Sequence, residues 1–568
     1  MIVAGAVLFV GMPSLFTRDL WLPDEPRYVE VAREMVVLGD YLVPHLNGEV
    51  YSEKPPLFFW ISGLLWKAGA GFSAGRLVTV LSVMATLALV FLVAGKADGM
   101  LRGILAAGAS LSTLLLLSFV RIGNLDALLM FFVTSSILAG YCALSRQVRF
   151  PDVYWLLCCG CMGLGVLTKG PVGLLLPALV LCSYAGLNRK CIRAGGWVHV
   201  RGAAVLIAIV AAWLGPAIAV GGSEYAGAIL FGQNIGRAVA SFSHREPIYW
   251  YLVWAPVCFF PWTFILPVCV AAAIRQWRRT QESLPVLAVV WLVVPLVFLS
   301  LVSGKRANYI VPVVPAVGIL SGWYLGSAAR GQGNFAAATG WLLKVAFGIL
   351  IVLTVGLAAA LVVVAFLPNL PEGFTGRPKD FLESLAQWLS GGRLVAAVVM
   401  LMVPLGVCVA RVALGLRQGP AAGLALAAAV LLLGLPQDLI ITPALNPLQS
   451  ARSFACAVQR HVKGARQVYV FGSDYAGVYN LYLGMVRMPV IRTRARLGVL
   501  VREPEVLVIA DARDATAALT PEDFARCLRH SEQVGGRQMV LLAGPVRHAG
   551  TVRGPAGRNP AAASDDRE

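Results

Sequence analysis

Residues 21–60 read WLPDEPRYVEVAREMVVLGDYLVPHLNGEVYSEKPPLFFW, and the fold turns on this stretch. Pro26 follows Asp24-Glu25, which suits the first turn of a helix with an acidic residue ahead of it. From there Tyr28, Val31, Ala32, Met35 and Leu38 fall on one face, and Arg27, Glu30, Arg33 and Glu34 on the other. That pattern predicts an amphipathic helix lying along a membrane surface rather than crossing it. Pro55-Pro56 then opens a second helix, LFFWISGLLW, apolar on nearly every side, whose Trp residues suit the lipid headgroup level.

The flanks supply the membrane. Spans of roughly 20 apolar residues are placed near 1–16, 76–95, 103–120, 126–144, 153–168, 171–187, 203–221, 249–273, 284–302, 307–326, 341–366, 394–414 and 421–437. The first reads as a retained helix, since no cleavage pattern follows it. The chain has 568 residues, 58% hydrophobic and 13% charged, where a soluble domain is about a quarter charged. A cytosolic enzyme, a disordered hub and a secreted disulfide scaffold are thereby excluded. The net charge of +18 would suggest nucleic acid in a soluble protein. Here it sits in short loops such as Lys96/Arg102, Arg189/Lys190/Arg193 and Arg275/Arg278/Arg279, which the positive-inside rule puts in the cytoplasm. The acids gather in the other set: Asp19 to Glu53, Asp126, Glu224, Glu246 and Glu372 to Glu383. Residues 17–75 therefore face outside, and an odd number of spans sends the C-terminal segment outside too.

Past about 440 the pattern changes. Residues 467–472, 486–492, 505–510 and 538–543 read as short buried strands, and 450–462, 474–484 and 519–530 as helices between them. The expectation is a polytopic α-helical membrane protein of about 13 spans over 1–440, an α/β domain over 441–545 and a disordered tail over 546–568. The 11 cysteines have no metal-ligand spacing and read as small hydrophobes. Cys456 and Cys527 share the outer domain, and the sequence leaves their pairing open.

Chemistry gathers on the acid-bearing side. Lys54 begins the second loop helix, where free N–H groups and the dipole already favour an anion, so a phosphate suits it. Asp126 ends RIGNLD at the outer end of a span and needs a partner or water there. Lys169 lies in a tight turn on the same side, His244 in the loop 222–248, and Lys305, Arg306 and Tyr309 in SGKRANYIVP. Each has an ordinary reading: Asp24 as a helix cap, Lys54 paired with Glu53 or turned to headgroups. Together, two carboxylates, several cations and a histidine from distant loops suit proton chemistry beside a phosphate. A transporter, the competing class, calls for midplane charges and two matching halves, and neither is evident.

The blocks DEPRYVEVAREM, GDYLVPHLNGEVYSEKPPL and LTKGPVG resemble the ArnT-like branch of the GT-C glycosyltransferases, relatives of protein O-mannosyltransferases that include the lipid A aminoarabinose transferases. The resemblance implies an inverting transferase in the bacterial inner membrane with its active site facing the periplasm. The donor would be a polyprenyl-phosphate sugar and the acceptor a lipid A-like glycolipid or another envelope molecule, with no nucleic acid partner. It further implies Asp24 as base and Asp126 as a second acid. Arg27, Tyr28, Lys54, Lys305 and Tyr309 would lie around the donor phosphate, Tyr51 would contact substrate, and Glu53 and His244 would hold a divalent metal such as zinc. Those enzymes tend to have Leu-Pro after the loop lysine, where this chain reads Lys305-Arg306-Ala307-Asn308, and its outer domain is short. Both departures bear on which sugar and acceptor are used.

Overall fold

The computed structural model describes residues 1–145, 148–187, 196–229, 245–280, 284–329, 337–366, 377–390, 393–415, 419–472 and 477–544. All thirteen expected spans fall on helices. Nine helical segments among the described residues are long and apolar enough to cross a membrane, and Ile2–Thr17, Met100–Leu111 and Val172–Leu187 are apolar but shorter. The stretch 249–273 is two helices, Trp250–Cys258 and Leu266–Thr280, separated by a short turn at Trp262–Phe264. The stretch 103–120 also divides, because Thr113 caps a new helix at Leu114–Phe119 by accepting the Leu116 N–H at 3.3 Å.

Two close packings fix what the acid-bearing side rests on. Gly318, Gly322 and Gly326 stripe the helix Val314–Ala329, and a Cβ on them would meet Ser110, Ala106 and Arg102 at 1.9, 2.5 and 2.2 Å. Only glycine lets that helix lie so close to Met100–Leu111. At the end of Pro151–Lys169 the chain reverses through Gly170 at φ +79°, and a Cβ on Gly173 would stand 2.2 Å from the Gly165 carbonyl carbon. Lys169 is therefore held at the apex of a tight helical hairpin.

The loop 17–75 contains the helices Asp24–Leu38 and Leu57–Leu65 where they are expected. The first, however, is not a surface helix with a charged outer face: Glu30, Arg33 and Glu34 are buried with Val31, Ala32 and Met35, Arg33 pairs with Glu30 at 2.7 Å, and Leu38 is exposed. Between the two helices lies a hairpin that the helical pattern does not announce, β1 (His45–Leu46) with β2 (Glu49–Val50). Asn47 and Gly48 have φ of 59° and 71°, the tight turn that Asn-Gly favours. The buried Glu34 carboxylate accepts both of their N–H groups, at 2.6 and 3.0 Å, and Tyr51 N–H closes on the Pro44 carbonyl at 2.8 Å. Tyr51 is delivered to the site by this hairpin.

Two compact units are present. The first runs from Met1 to Ser453 and takes in Gly477–Arg487 and Val534–Gly536; the described part of the second is 454–472, 488–533 and 537–544. In the second, β3 (Gln467–Phe471), β4 (Val490–Ile491), β5 (Val506–Asp511), β6 (Leu528–Val534) and β7 (Arg537–Ala543) form a sheet of order β4-β3-β5-β7-β6. β3 runs parallel to β4 and β5, and β5 antiparallel to β7. The helix expected over 519–530 ends at Cys527, and β6 begins at Leu528. Its sequence, LRHSEQV, lacks the apolar alternation of a half-buried strand, which is why it passed unnoticed. Cys456 and Cys527 are both free thiols. The tail 546–568 lies outside the described residues.

Candidate active site on the acid-bearing face

Adjacent acids in DEPRY have opposite fates. Glu25 is buried, and its carboxylate receives Arg18 at 2.9 Å, Arg76 at 3.1 Å, and the N–H groups of Gly123 and Trp21 at 2.8 and 3.1 Å. Burial alone would raise its pKa, but Arg76 and Arg18 outweigh it and hold the carboxyl below its ordinary value. Glu25 thus ties the start of the loop helix to two spans. Asp24 turns the other way, with its side chain 28% exposed.

Asp24 pairs with Arg27 at 2.7 Å and, more loosely, with Arg306 at 3.7 Å. Arg27 also reaches Glu53 at 3.5 Å, so one guanidinium spans both carboxylates. Lys54 donates to the Glu53 carbonyl at 3.1 Å, which sets its ammonium beside this group. Beneath them Tyr28 is packed edge-on against Phe58 and Phe59, each at 6.1 Å, and Tyr51 against Phe59 at 5.9 Å. Burial first, and then the charge of Asp24, push the Tyr28 phenol well above its ordinary range, with Asp126 and Glu53 adding to it. Both Asp24 and Asp126 therefore bear on one phenol. The Tyr51 hydroxyl is buried with no hydrogen-bond partner among the described residues.

Asp126 stands in the first turn of Leu125–Leu144, its N–H accepted by the cap Asn124 at 2.9 Å. Both carboxylate oxygens are engaged: Oδ1 by Lys169 Nζ, and Oδ2 by the Asn308 side-chain amide at 2.7 Å. The Lys169 ammonium also lies 4.8 Å from the centre of the Tyr309 ring. With its side chain only 6% exposed, Asp126 is held in place from both sides.

The segment 303–309 joins the two halves of the site. Its Arg306 contacts Asp24, and Asn308, two residues on, contacts Asp126. Lys305, expected at the donor phosphate, is buried and donates to the carbonyls of Glu246 and Val302 at 2.9 and 2.7 Å. The cation this loop presents is Arg306, 41% exposed. Among the residues expected at the site, the structure brings together Asp24, Arg27, Tyr28, Tyr51, Glu53, Lys54, Asp126 and Tyr309; His244 lies outside the described residues. Asn308 and the pairing of Lys169 with Asp126 were not anticipated. No group of three or more His, Cys, Asp and Glu residues able to hold a metal occurs among the described residues.

The apolar helical body with its loop helices and the small mixed-sheet unit have the fold of a solved polytopic membrane protein, ArnT. The structure superposes on ArnT from Cupriavidus metallidurans bound to undecaprenyl phosphate with a TM-score of 0.76, covering 96% of this chain and 98% of that one at 22% identity. Residues 53–215 match the family described as dolichyl-phosphate-mannose-protein mannosyltransferase. The undecaprenyl phosphate-alpha-4-amino-4-deoxy-L-arabinose arabinosyl transferase 1 of Sodalis glossinidius is 32% identical over 336 residues, 56% of this chain and 59% of that protein. The arabinosyl transferase of Edwardsiella ictaluri is 30% identical over 385 residues, 66% of each chain. The matched stretch thus spans about three-fifths to two-thirds of these relatives' lengths.

Proposed function

We propose that this protein is an inverting glycosyltransferase that moves a sugar, of the 4-amino-4-deoxy-arabinose type, from a polyprenyl-phosphate donor to a lipid A-like acceptor. It would work in the bacterial inner membrane with the acid-bearing face toward the periplasm. The observation that carries this reading is the meeting of Asp24 and Asp126 through Arg306 and Asn308, beside Arg27 and Lys54. Relatives named for undecaprenyl-phosphate arabinosyl transfer support the substrate class.

A lipid phosphate is already a good leaving group, so the enzyme's task is to take up its charge and to activate the incoming oxygen. Lys54 and Arg27 neutralise the departing phosphate, and the Tyr28 and Tyr309 rings border them. Charge-assisted donors act most strongly in such a poorly hydrated place. Tyr51, with its unpaired hydroxyl, donates to the substrate. Asp24, more exposed than Asp126 and tightly held by one arginine, receives the acceptor's proton as the oxygen attacks the anomeric carbon. Asp126, held by Lys169 on one oxygen and Asn308 on the other, positions the surrounding groups. In-line displacement inverts the anomeric centre.

A zinc-like metal at Glu53 and His244 would share the phosphate charge. Of that pair Glu53 lies 3.5 Å from Arg27, and His244 lies outside the described residues. Metal analysis of the purified protein, with activity measured after chelation, tests the metal separately. Incubating the purified protein with a polyprenyl-phosphate sugar, with and without lipid A, tests the main reading. Sugar-modified lipid A is the expected product, and a donor left intact in the presence of acceptor overturns the assignment.

A further inference from the structure

Arg306 stands where the backbone is held firmly and the side chain is not. Its carbonyl accepts from Tyr251 Oη and from Tyr309 N–H, each at 3.1 Å. The preceding Lys305 is locked onto two carbonyls, and Arg245 bridges Gly304 in an antiparallel pair. The guanidinium, by contrast, is 41% exposed and meets Asp24 only at 3.7 Å, beyond a good hydrogen bond. Asp24 already has a closer arginine in Arg27, at 2.7 Å. A planar group with five donors is thus left largely uncommitted on an anchored stem. Arginine in that state is suited to bidentate binding of an oxyanion.

The charges around it point the same way. Lys54 and Arg27 stand on the Glu53 side of Asp24, whereas Arg306 approaches its other oxygen, Oδ2 rather than Oδ1. One phosphate on Lys54 and Arg27 leaves Arg306 with its donors unused.

We propose that Arg306 is a specificity-determining residue that binds a second phosphate, one distinct from the phosphate at Lys54 and carried by a phosphorylated lipid substrate. Arg306 exchanges its loose contact with Asp24 for that phosphate, and Asp24 keeps its closer pair with Arg27. This rests on the transferase reading above. A polyprenyl-phosphate sugar carries a single phosphate, already placed on Lys54 and Arg27, so the second phosphate is one on the acceptor's headgroup.

The test uses the full chain in nanodiscs, with Arg306→Gln and Arg306→Lys beside the wild type. Binding of polyprenyl phosphate and of lipid A, intact and dephosphorylated, is followed by native mass spectrometry, and kcat and KM are measured for each substrate. The expected result is a rise of roughly 10-fold or more in Kd and KM for intact lipid A, partly recovered by R306K. A rise confined to intact lipid A supports the proposal; a rise confined to the donor puts Arg306 on the same phosphate as Lys54 and overturns it. Unchanged Kd and KM for both lipids, with only kcat lowered, overturns the proposal. Failure of the wild type to transfer sugar tells against the transferase reading instead, and the binding comparison stands independently of it.

Discussion

Asn308 donates its side-chain amide to Asp126 Oδ2 at 2.7 Å, and with Lys169 on Oδ1 it leaves that carboxylate no free oxygen. An acid held on both sides is suited to fixing its neighbours rather than to exchanging a proton. Replacing Asn308 with Ala removes one restraint and lets Asp126 rotate about its remaining ion pair. The expected effect is a fall in kcat of about 10-fold, the size of one hydrogen bond to a charged group, with KM for the donor little changed. Asn308→Asp sets a second carboxylate against the first and is expected to be worse than Ala. Steady-state kinetics of both variants check this, and Asp matching wild type would remove the positioning role.

Asp24 differs in being partly exposed, with one tight partner. Asp24→Asn keeps its shape and its contact with Arg27 but cannot take a proton. Loss of a general base costs about 100- to 10,000-fold in rate. The expected outcome is near-complete loss of sugar transfer with polyprenyl-phosphate binding retained. Turnover within a few-fold of wild type in a properly folded D24N protein would take the base role away from Asp24.

Glu25, next to it, acts on folding. Glu25→Gln leaves Arg18 and Arg76 buried without their counter-charge, and breaking such a pair from one side costs about 3–5 kcal/mol. A clear drop in the thermal unfolding midpoint in detergent is expected, before any question of activity. The pH dependence has a definite sign. Because the folded carboxyl lies below its ordinary 4.5, its contribution is complete above that value and is lost as pH falls through the depressed folded value. Midpoints measured on either side of pH 4.5 should converge for wild type and E25Q at the acid end. A constant gap across that range rules out Glu25 as the source.

The helices were legible because lipid demands long apolar runs, and thirteen such runs announce themselves in the sequence. The breaks at Ser112-Thr113 and around Trp262 were not, since an apolar run looks the same whether or not a cap interrupts it. DEPRY was found as a block, but its two acids look equivalent in sequence. Helix geometry separates them, because neighbouring positions point about 100° apart. The hairpin at 45–50 carried a readable Asn-Gly signal that the surrounding helix pattern obscured. Lys305 and Arg306 show the reverse difficulty: two adjacent cations, of which only tertiary packing decides that the first is capped by carbonyls and the second faces Asp24. Asn308 gave no signal, since a polar residue in a loop is ordinary until its partner is known.

Lys54 and Arg27 offer the most direct reading of the donor phosphate. Lys54 Nζ is set by the Glu53 carbonyl at 3.1 Å, while Arg27 is shared between Asp24 and Glu53 at 2.7 and 3.5 Å. Arg27 is therefore both a cation at the site and the tie that holds two acids in place. Removing each should separate binding from organisation. Lys54→Ala is expected to raise donor KM by roughly 10-fold or more with a smaller effect on kcat. Arg27→Ala should lower kcat as well, since Asp24 and Glu53 then lose their common partner and repel each other. Arg27→Lys, which keeps the charge but cannot span both acids with a planar fork, should recover donor KM better than kcat. An unchanged donor KM in K54A, measured alongside direct binding of polyprenyl phosphate, would move the phosphate site away from the start of the second loop helix.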